Sequence, residues 1–406
     1  MNKISIKSGK EKQIKNHHPW VFSGAIDRVN CTSPCICNVV DSNNNFIAQG
    51  YYDKLSHIPI HLLSWRENDV INDTWWENKV KESILRRKRI LLNANNTNAF
   101  RLIFSEADFI PGIVADYYNG FIRVIVSSRV AFEIKDIVVK TLYDILKPNL
   151  ILLNTDVNFC GIEGLKEITQ YYNETGYFKP ESKLNPIEFK EEGLLYEIVP
   201  GTGQKSGFFC DQRDNRVKIE KYCNDKVVLD AFSYTGGFTL HALRANAKQI
   251  DALDASNTAL KSLLKNIHIN INNKIIDEGS REKVNTKVCN IFEEMRNIEE
   301  NYYDIMILDP PKLAKKKSQV EGASRAYKDL NRLAMQKIKN GGIIATFSCS
   351  GGISLEKFKT ILSWAAIDNN MEIQVLETLT AASDHPTRLA FPESEYLCGY
   401  ILKVIK

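Results

Sequence analysis

The stretch Val227-Val228-Leu229-Asp230-Ala231-Phe232-Ser233-Tyr234-Thr235-Gly236-Gly237 decides how the C-terminal half of this chain folds. An apolar run ends in a carboxylate, passes through small and aromatic residues into two glycines, and leads into a helical stretch from Phe238 to Ala245. Strand, tight turn and helix in that order open a βαβ unit, and glycine lets backbone approach a ligand closely. Further apolar runs follow at βα spacing: Ile250 to Asp254, Thr286 to Ile291, Ile305 to Asp309 and Gly342 to Phe347. From about Leu194 onward this predicts an α/β domain with a parallel sheet. Ligands of open sheets sit beyond the carboxyl ends of the strands, so the residues just after each run are the candidates.

Working outward, the chain has 406 residues, more than the roughly 250–300 at which one hydrophobic core stops growing, so two or three domains are expected. Residues 1–72 carry short strand-like runs, among them Asn38 to Asp41 and Phe46 to Tyr52, split by the turn signal Ser42-Asn43-Asn44-Asn45, and read as a small β-rich domain. Residues 73–190 open with an amphipathic helix between about Asp73 and Leu92 and continue as an α+β middle domain: strands Phe100 to Phe104, Gly112 to Asp116 and Phe121 to Val126, a helix from Ala131 to Leu146, and a strand from Leu150 to Thr155. Residues 191–406 form the α/β domain. A 44% hydrophobic content excludes a disordered chain, and a net charge of +4 permits a nucleic-acid partner without requiring one. No run approaches the ~18 apolar residues of a membrane helix, and the start lacks a secretory apolar core, so a cytoplasmic location without membrane association is expected. Nine scattered cysteines do not make a disulfide framework.

Asp254 stands 24 positions after Asp230, near the spacing at which an acid meets a ribose diol. The turn lacks GxGxxG, and an acid at the tip of the first strand would repel a pyrophosphate, which disfavours a nicotinamide dinucleotide. S-adenosylmethionine, with its sulfonium charge, ribose and adenine, suits two carboxylates better. The arrangement resembles the class I methyltransferases. On that resemblance Phe232, Ser233, Thr235 and Gly236 on the turn and Ala255 after Asp254 join the cofactor contacts, and Asn290 and Ile291 stand where the family presents an acid and an apolar residue to adenine. Taken alone, the two glycines fit tight strand–helix packing equally well.

The fourth run ends in Asp309-Pro310-Pro311-Lys312, a carboxylate held at a strand tip by two residues of fixed φ. The next ends in Ser348-Cys349-Ser350-Gly351-Gly352, which puts a thiol at the mouth of the same sheet. A lone cysteine is most often a buried structural residue, but small polar neighbours favour an accessible sulfur here. A pyrimidine C5 is too poor a nucleophile to take a methyl group unless a thiolate first adds at C6. Cys349 is placed for that addition and Asp309 for bonding to N3 as charge develops. Lys312 completes the candidate catalytic set. The basic stretch from Lys315 through Arg325 and Lys328 is either a solvated loop or a phosphate-holding one.

Several linked stretches then carry a closer resemblance: His18-Pro19-Trp20-Val21-Phe22-Ser23-Gly24-Ala25, Lys205-Ser206-Gly207-Phe208-Phe209-Cys210-Asp211-Gln212-Arg213, the DPPK and FSCSG elements, Asp384-His385-Pro386 and Pro392-Glu393. In this order, and over nearly the whole chain, they resemble the PUA-domain-containing, S-adenosylmethionine-dependent cytosine-5 methyltransferases of 23S ribosomal RNA. The resemblance implies an RNA-binding PUA domain, a middle linker domain and a Rossmann-like catalytic domain with a seven-stranded, mainly parallel sheet. It places Lys205, Phe209, Gln212 and Arg213 around the cofactor, gives S-adenosyl-L-homocysteine as product, and implies a homodimer acting on 23S RNA.

Other readings stand beside this one. A DPP tip also serves methylation of an exocyclic amine, on guanine N2 or adenine N6, which gains nothing from Cys349. An RNA-binding protein with an inactive Rossmann-like domain is the second rival, against which the pair Asp230 and Asp254 argues. Cys31, Cys35 and Cys37 near His17 and His18 do not repeat the paired spacing of structural zinc, so no metal is expected. Trp75 and Trp76 read as packing residues, and His241 and His268 as surface or core residues.

Overall fold

The computed structural model describes residues 2–93, 95–201, 207–314 and 316–406. The first domain is a six-stranded sheet in the order Trp20–Val21, Ile60–Ser64, Phe46–Tyr52, Cys35–Val40, Lys3–Ile6, Ile26–Asn30, folded around Ile4, Ile6, Val39, Ala48, Ile60 and Leu62. Its expected turn forms because Asp41 Oδ1 accepts from the N–H groups of Asn43 and Asn45 while Asn44 takes a left-handed φ of 67°.

Asn72 caps the connecting helix Asp73–Arg86 by accepting from Trp75 N at 3.0 Å, and a second short helix, Lys88–Leu92, follows. Trp76, Val80 and Ile84 on the first of these pack against the helix Arg129–Leu146 and the sheet of the middle domain. That sheet also has six strands, from Ala99–Phe104 at one edge to Gly176–Phe178 at the other. Its one parallel pair, Phe121–Val126 with Leu150–Thr155, is joined across Arg129–Leu146.

A hairpin, Ile187–Glu191 with Leu194–Ile198, precedes the last domain, and the boundary expected at residue 190 falls inside its first strand. Phe189, Leu194, Tyr196 and Ile198 belong to one apolar cluster that joins Ala99, Tyr118, Phe121, Leu150 and Leu152 of the middle domain to Val228, Ile250 and Ile305 of the last sheet.

The sheet of the C-terminal domain has seven strands: first Val227–Ala231, second Gln249–Asp254, third Val284–Val288, fourth Ile305–Leu308, fifth Ile343–Ser348, sixth Glu372–Thr380 and seventh Cys398–Ile405. Their spatial order is third, second, first, fourth, fifth, seventh, sixth, with only the seventh antiparallel to its neighbours. Alternation explains the continuous apolar runs. Val228, Ile305 and Ile307 face one core with the helices Arg213–Cys223, Gly237–Arg244 and Asn257–Asn272. Leu229, Ala231, Met306 and Leu308 face the other with Ile291–Asn297, Val320–Lys337 and Leu355–Asp368, so both faces of each strand are buried. The run expected as a strand from Thr286 to Ile291 divides at Asn290, which caps the helix that Ile291 begins, so pairing stops at Val288.

One carboxylate ties the middle and C-terminal domains together. Asp384 Oδ2 accepts from Arg101 N at 2.7 Å, Oδ1 from Arg213 at 3.2 Å, and its carbonyl from Arg87 at 2.7 Å. Arg87 is itself buried and bidentate on Asp108, with both bonds 2.7 Å. Burial works against the ionised form of Asp384, but His385, Arg213 and the Arg101 N–H outweigh it and hold the carboxyl well below its ordinary range. A depressed pKa contributes stability above the unfolded-state value that is lost as acid protonates the group. Asp384→Ala leaves Arg213 facing a void and should cost about 3–5 kcal/mol, read as a lowered denaturant midpoint at neutral pH, with the deficit shrinking in strong acid.

Candidate active site

The turn after the first strand is wound against its ordinary preference: Phe232, Tyr234 and Gly236 have φ of 68°, 49° and 87°. A side chain at Gly236 would also sit 2.7 Å from Leu263 Cγ, so that position requires glycine twice over. Asp254, at the tip of the second strand, holds the turn by accepting from Tyr234 N at 2.9 Å, and it accepts from Ser256 N at 2.7 Å as well. Ser233 N and Oγ both donate to Leu253 O. Thr235 O receives the Asn266 amide at 3.0 Å. Ala255 is exposed beside this rim.

Asp230 is buried and accepts from Thr239 Oγ1 at 2.6 Å through Oδ2, while its Oδ1 has no hydrogen-bond partner among the described residues. Burial pushes its carboxyl up to about 6. Asp309 follows the fourth strand, and burial, then repulsion from Asp211, pushes it up to about 7 against the pull of Arg216 and Gln212. Leu308 pairs with Thr346 across the adjacent fifth strand, so the two tips lie side by side. Cys349 Sγ accordingly rests 3.7 Å from the Pro310 carbonyl, and the thiol is partly exposed. Ser350, next to it, is buried and fastened by Ala314 N and the Tyr327 hydroxyl, both at 3.1 Å. Lys312 is exposed just beyond the prolines.

The segment before the helix Arg213–Cys223 lies against the same edge. Gln212 is buried, accepts from Asn215 Nδ2 at 2.7 Å through Oε1, and leaves Nε2 without a hydrogen-bond partner among the described residues. Phe209 is partly exposed, 5.3 Å from the Tyr234 ring. Arg213 anchors the segment by donating from Nε to Asp214 and from Nη2 to Ser383 and Asp384, and its Nη1 has no hydrogen-bond partner among the described residues. Lys205 lies outside the described residues. Asn290 spends both side-chain polar atoms locally, accepting from Phe292 N and donating to Glu293, and Ile291 is buried beneath it.

Sequence reading missed three side chains. Asp211 accepts from the Tyr396 hydroxyl at 2.5 Å. Arg216 pairs with Glu191, donates to the Phe209 carbonyl at 2.8 Å and lies over the Phe208 ring. Asp211 stood inside a quoted motif without a chemical signal of its own. Arg216 and Tyr396 take their meaning from contacts across 25 and 185 positions, which no local pattern reveals.

Asp230, Asp254, Asp309, Cys349 and the segment from Phe209 to Gln212 thus surround one crevice at the carboxyl edge. The unpartnered oxygen of Asp230 and amide of Gln212, with glycine backbone beside them, fit a cofactor carrying positive charge and a ribose. Among the described residues no cluster of three or more His, Cys, Asp or Glu side chains is arranged to hold a metal, and no helix is long and apolar enough to cross a membrane.

Known proteins agree with this layout. Residues 4–65 match the PUA-like domain family and residues 170–357 the S-adenosylmethionine-dependent methyltransferase family. Ribosomal RNA large subunit methyltransferase I of Photobacterium profundum is 36% identical over 400 residues, covering 98% of each chain, and that of Vibrio vulnificus strain YJ016 is 34% identical over 407 residues, covering 99% of each. Among solved structures, a methyltransferase in complex with SAH superposes with a TM-score of 0.82 at 20% identity, over 99% of this chain and 100% of that one. A SAM-dependent methyltransferase from Streptococcus mutans gives 0.81 over the same shares at the same identity. These neighbours share the fold, and the cofactor is S-adenosylmethionine. With relatives matched end to end, the chain belongs to the family of ribosomal RNA large subunit methyltransferase I.

Proposed function

We propose that this protein transfers a methyl group from S-adenosylmethionine to C5 of a cytosine in 23S ribosomal RNA, in the cytoplasm, with Cys349 as nucleophile and Asp309 as the acid at N3. The supporting observation is the 3.7 Å approach of Cys349 Sγ to the Pro310 carbonyl, which sets a thiol beside the DPP carboxyl at one mouth. The family name of the relatives supports the ribosomal substrate. We also propose that the PUA-like domain grips the RNA, that Lys312 meets a phosphate near the mouth, that the catalytic unit begins with the hairpin at Ile187, and that the chain works as a homodimer.

The bound cofactor supplies an electrophilic methyl group on a sulfonium. Asp230 and Gln212 offer polar atoms that lack partners among the described residues, and Asp254 would hold the ribose. On the acceptor side, the Cys349 thiolate adds to C6 while the Asp309 carboxyl gives its proton to N3, which leaves C5 nucleophilic. Once C5 carries the methyl group, its proton departs to a base, the C6–S bond breaks with its electron pair returning to sulfur, and Asp309 takes back the N3 proton. Amine methylation, the rival, needs none of these steps.

Cys349→Ala should lower methyl transfer about a thousandfold or more while leaving S-adenosylhomocysteine affinity near that of the unaltered protein. With ribosomal RNA containing 5-fluorocytosine there is no C5 proton to lose, so the unaltered protein should stay bound to RNA on a denaturing gel and the alanine variant should not. Active enzyme that never shows the adduct would favour amine chemistry.

The carboxyl of Asp309 must be protonated to donate, and a group pushed up to about 7 loses that proton as pH rises through neutrality. The value of kcat/KM for RNA is therefore expected to decline above about pH 7. Asp309→Asn, a donor that does not titrate, should lower kcat about a hundredfold and flatten this alkaline limb in a pH–rate series.

A further inference from the structure

The acceptor side of the crevice contains one more acid whose purpose the reaction does not use. Asp211 is nine-tenths buried, its Oδ2 is fixed by the Tyr396 hydroxyl at 2.5 Å, and its Oδ1 has no hydrogen-bond partner among the described residues. Its backbone is pinned too, since the Asp211 carbonyl accepts from Ala382 N at 2.8 Å. A buried carboxylate oxygen left unpaired costs free energy unless something else completes it.

Its surroundings say which side of the crevice it serves. Tyr396, which orients Asp211, leans on the same apolar cluster as Cys349. Thr380 and Ser348 are both level with Cys398 in the sheet, so the loop from Ala381 that carries Tyr396 leaves the same edge as the thiol. Asp211 is also the charged neighbour that acts most strongly on Asp309. The two acids therefore stand together next to the thiol.

We propose that Asp211 is the residue that distinguishes cytosine from uracil, its Oδ1 accepting a hydrogen bond from the exocyclic amino group of the base. This rests on the cytosine-5 reading above and deepens it. A base whose C6 meets Cys349 and whose N3 meets Asp309 turns its C4 substituent away from the thiol, beyond N3. For cytosine that substituent is an N–H donor, matched to the unpaired oxygen of Asp211. For uracil it is a carbonyl, which would set oxygen against oxygen in a buried site, and a site built to bond one polar group rejects the analogue that lacks it. The thiol chemistry itself works on either pyrimidine, so discrimination must come from a group other than Cys349.

The test uses the full-length protein and a protein-free large-subunit ribosomal RNA transcript. The nucleotide methylated by the unaltered enzyme is mapped by mass spectrometry, and a second transcript carries uracil at that position. The unaltered enzyme should prefer cytosine by about a hundredfold or more. Asp211→Asn presents an N–H where the oxygen was, so kcat/KM on cytosine should fall about tenfold or more, uracil should gain, and S-adenosylhomocysteine affinity measured by calorimetry should change by less than about threefold. Tyr396→Phe keeps the carboxylate but releases it, and should lower the cytosine-to-uracil ratio with cofactor affinity unchanged. That variant decides the matter if the Asn protein does not fold. The assignment is overturned if the ratio is unmoved in the variants, if the unaltered enzyme accepts both bases equally, or if Asp211→Asn loses cofactor affinity with its base preference intact, which would assign the oxygen to the amino group of the cofactor. Failure of the unaltered enzyme to methylate any cytosine would overturn the underlying reading and this assignment with it.

Discussion

The carboxylate of Asp384 is the constraint on which the rest of the molecule depends. It receives the backbone N–H of Arg101 from the middle domain and the guanidinium of Arg213 from the catalytic domain, and the Arg87 guanidinium bonds to its carbonyl from the connecting helices. Three charged groups this deeply buried would be unfavourable singly, because each surrenders its hydration. Together, with Asp108 taking both arms of Arg87, they satisfy one another. The consequence reaches the crevice through chain connectivity. Arg213 immediately follows Asp211 and Gln212, so fastening its guanidinium fixes how those two side chains stand against the tips of the fourth and fifth strands.

A second consequence concerns charge. Asp211 and Asp230 are buried and Asp309 is half-buried in one region, where Arg216 already answers to Glu191. Burial is the largest cause that raises both Asp230 and Asp309; repulsion from Asp254 adds to it at Asp230, and repulsion from Asp211 and then Asp230 adds to it at Asp309. A pocket of that kind is poised for a cationic guest, and an acid held near neutrality can give and recover a proton within one catalytic cycle. The crevice is therefore incompatible with a pyrophosphate for the same reason that it suits a sulfonium.

How much of this was legible in the sequence follows from which interactions are local. The first, fourth and fifth strands were readable to within a residue because both of their faces are buried and their apolar runs are unbroken. The third was misjudged by a few positions because an Asn cap at 290 intervenes where apolar character continues. The candidate site residues at or just beyond strand ends, Asp230, Asp254, Asp309 and Cys349, could be brought together from sequence because a parallel sheet aligns its carboxyl ends. Arg213 and Asn290 were chosen by resemblance; Arg213 Nη2 serves Asp384 while its Nη1 has no hydrogen-bond partner among the described residues, and Asn290 caps a helix. The motifs near the two ends had no visible reason until they met: His18 approaches Glu393 at 3.3 Å, and the rings of Trp20 and Phe391 stand edge to face at 4.7 Å. Such contacts depend on how domains dock, which hydrophobic periodicity does not encode.

The docking of the first domain bears on how RNA would be presented. Glu106 of the middle domain is buried, which would raise its carboxyl, yet His61, Ser105 and Trp20 bring it down to about 2. Two of those three groups belong to the PUA-like domain. Arg388, from the same loop as Tyr396, reaches the Glu106 carbonyl at 2.9 Å and the His17 carbonyl at 3.4 Å, and lies over the Phe109 ring. All three domains thus converge on the loop that leaves the carboxyl edge beside Cys349. If the first domain grips RNA as proposed, the strand would be held at a set distance from the thiol, and the loop that sets this distance also carries the tyrosine that bonds to Asp211. On that reading, placement of the strand and recognition of the base would be governed by the same loop, a coupling that follows from the sheet order, because the loop between the sixth and seventh strands has no other edge from which to project.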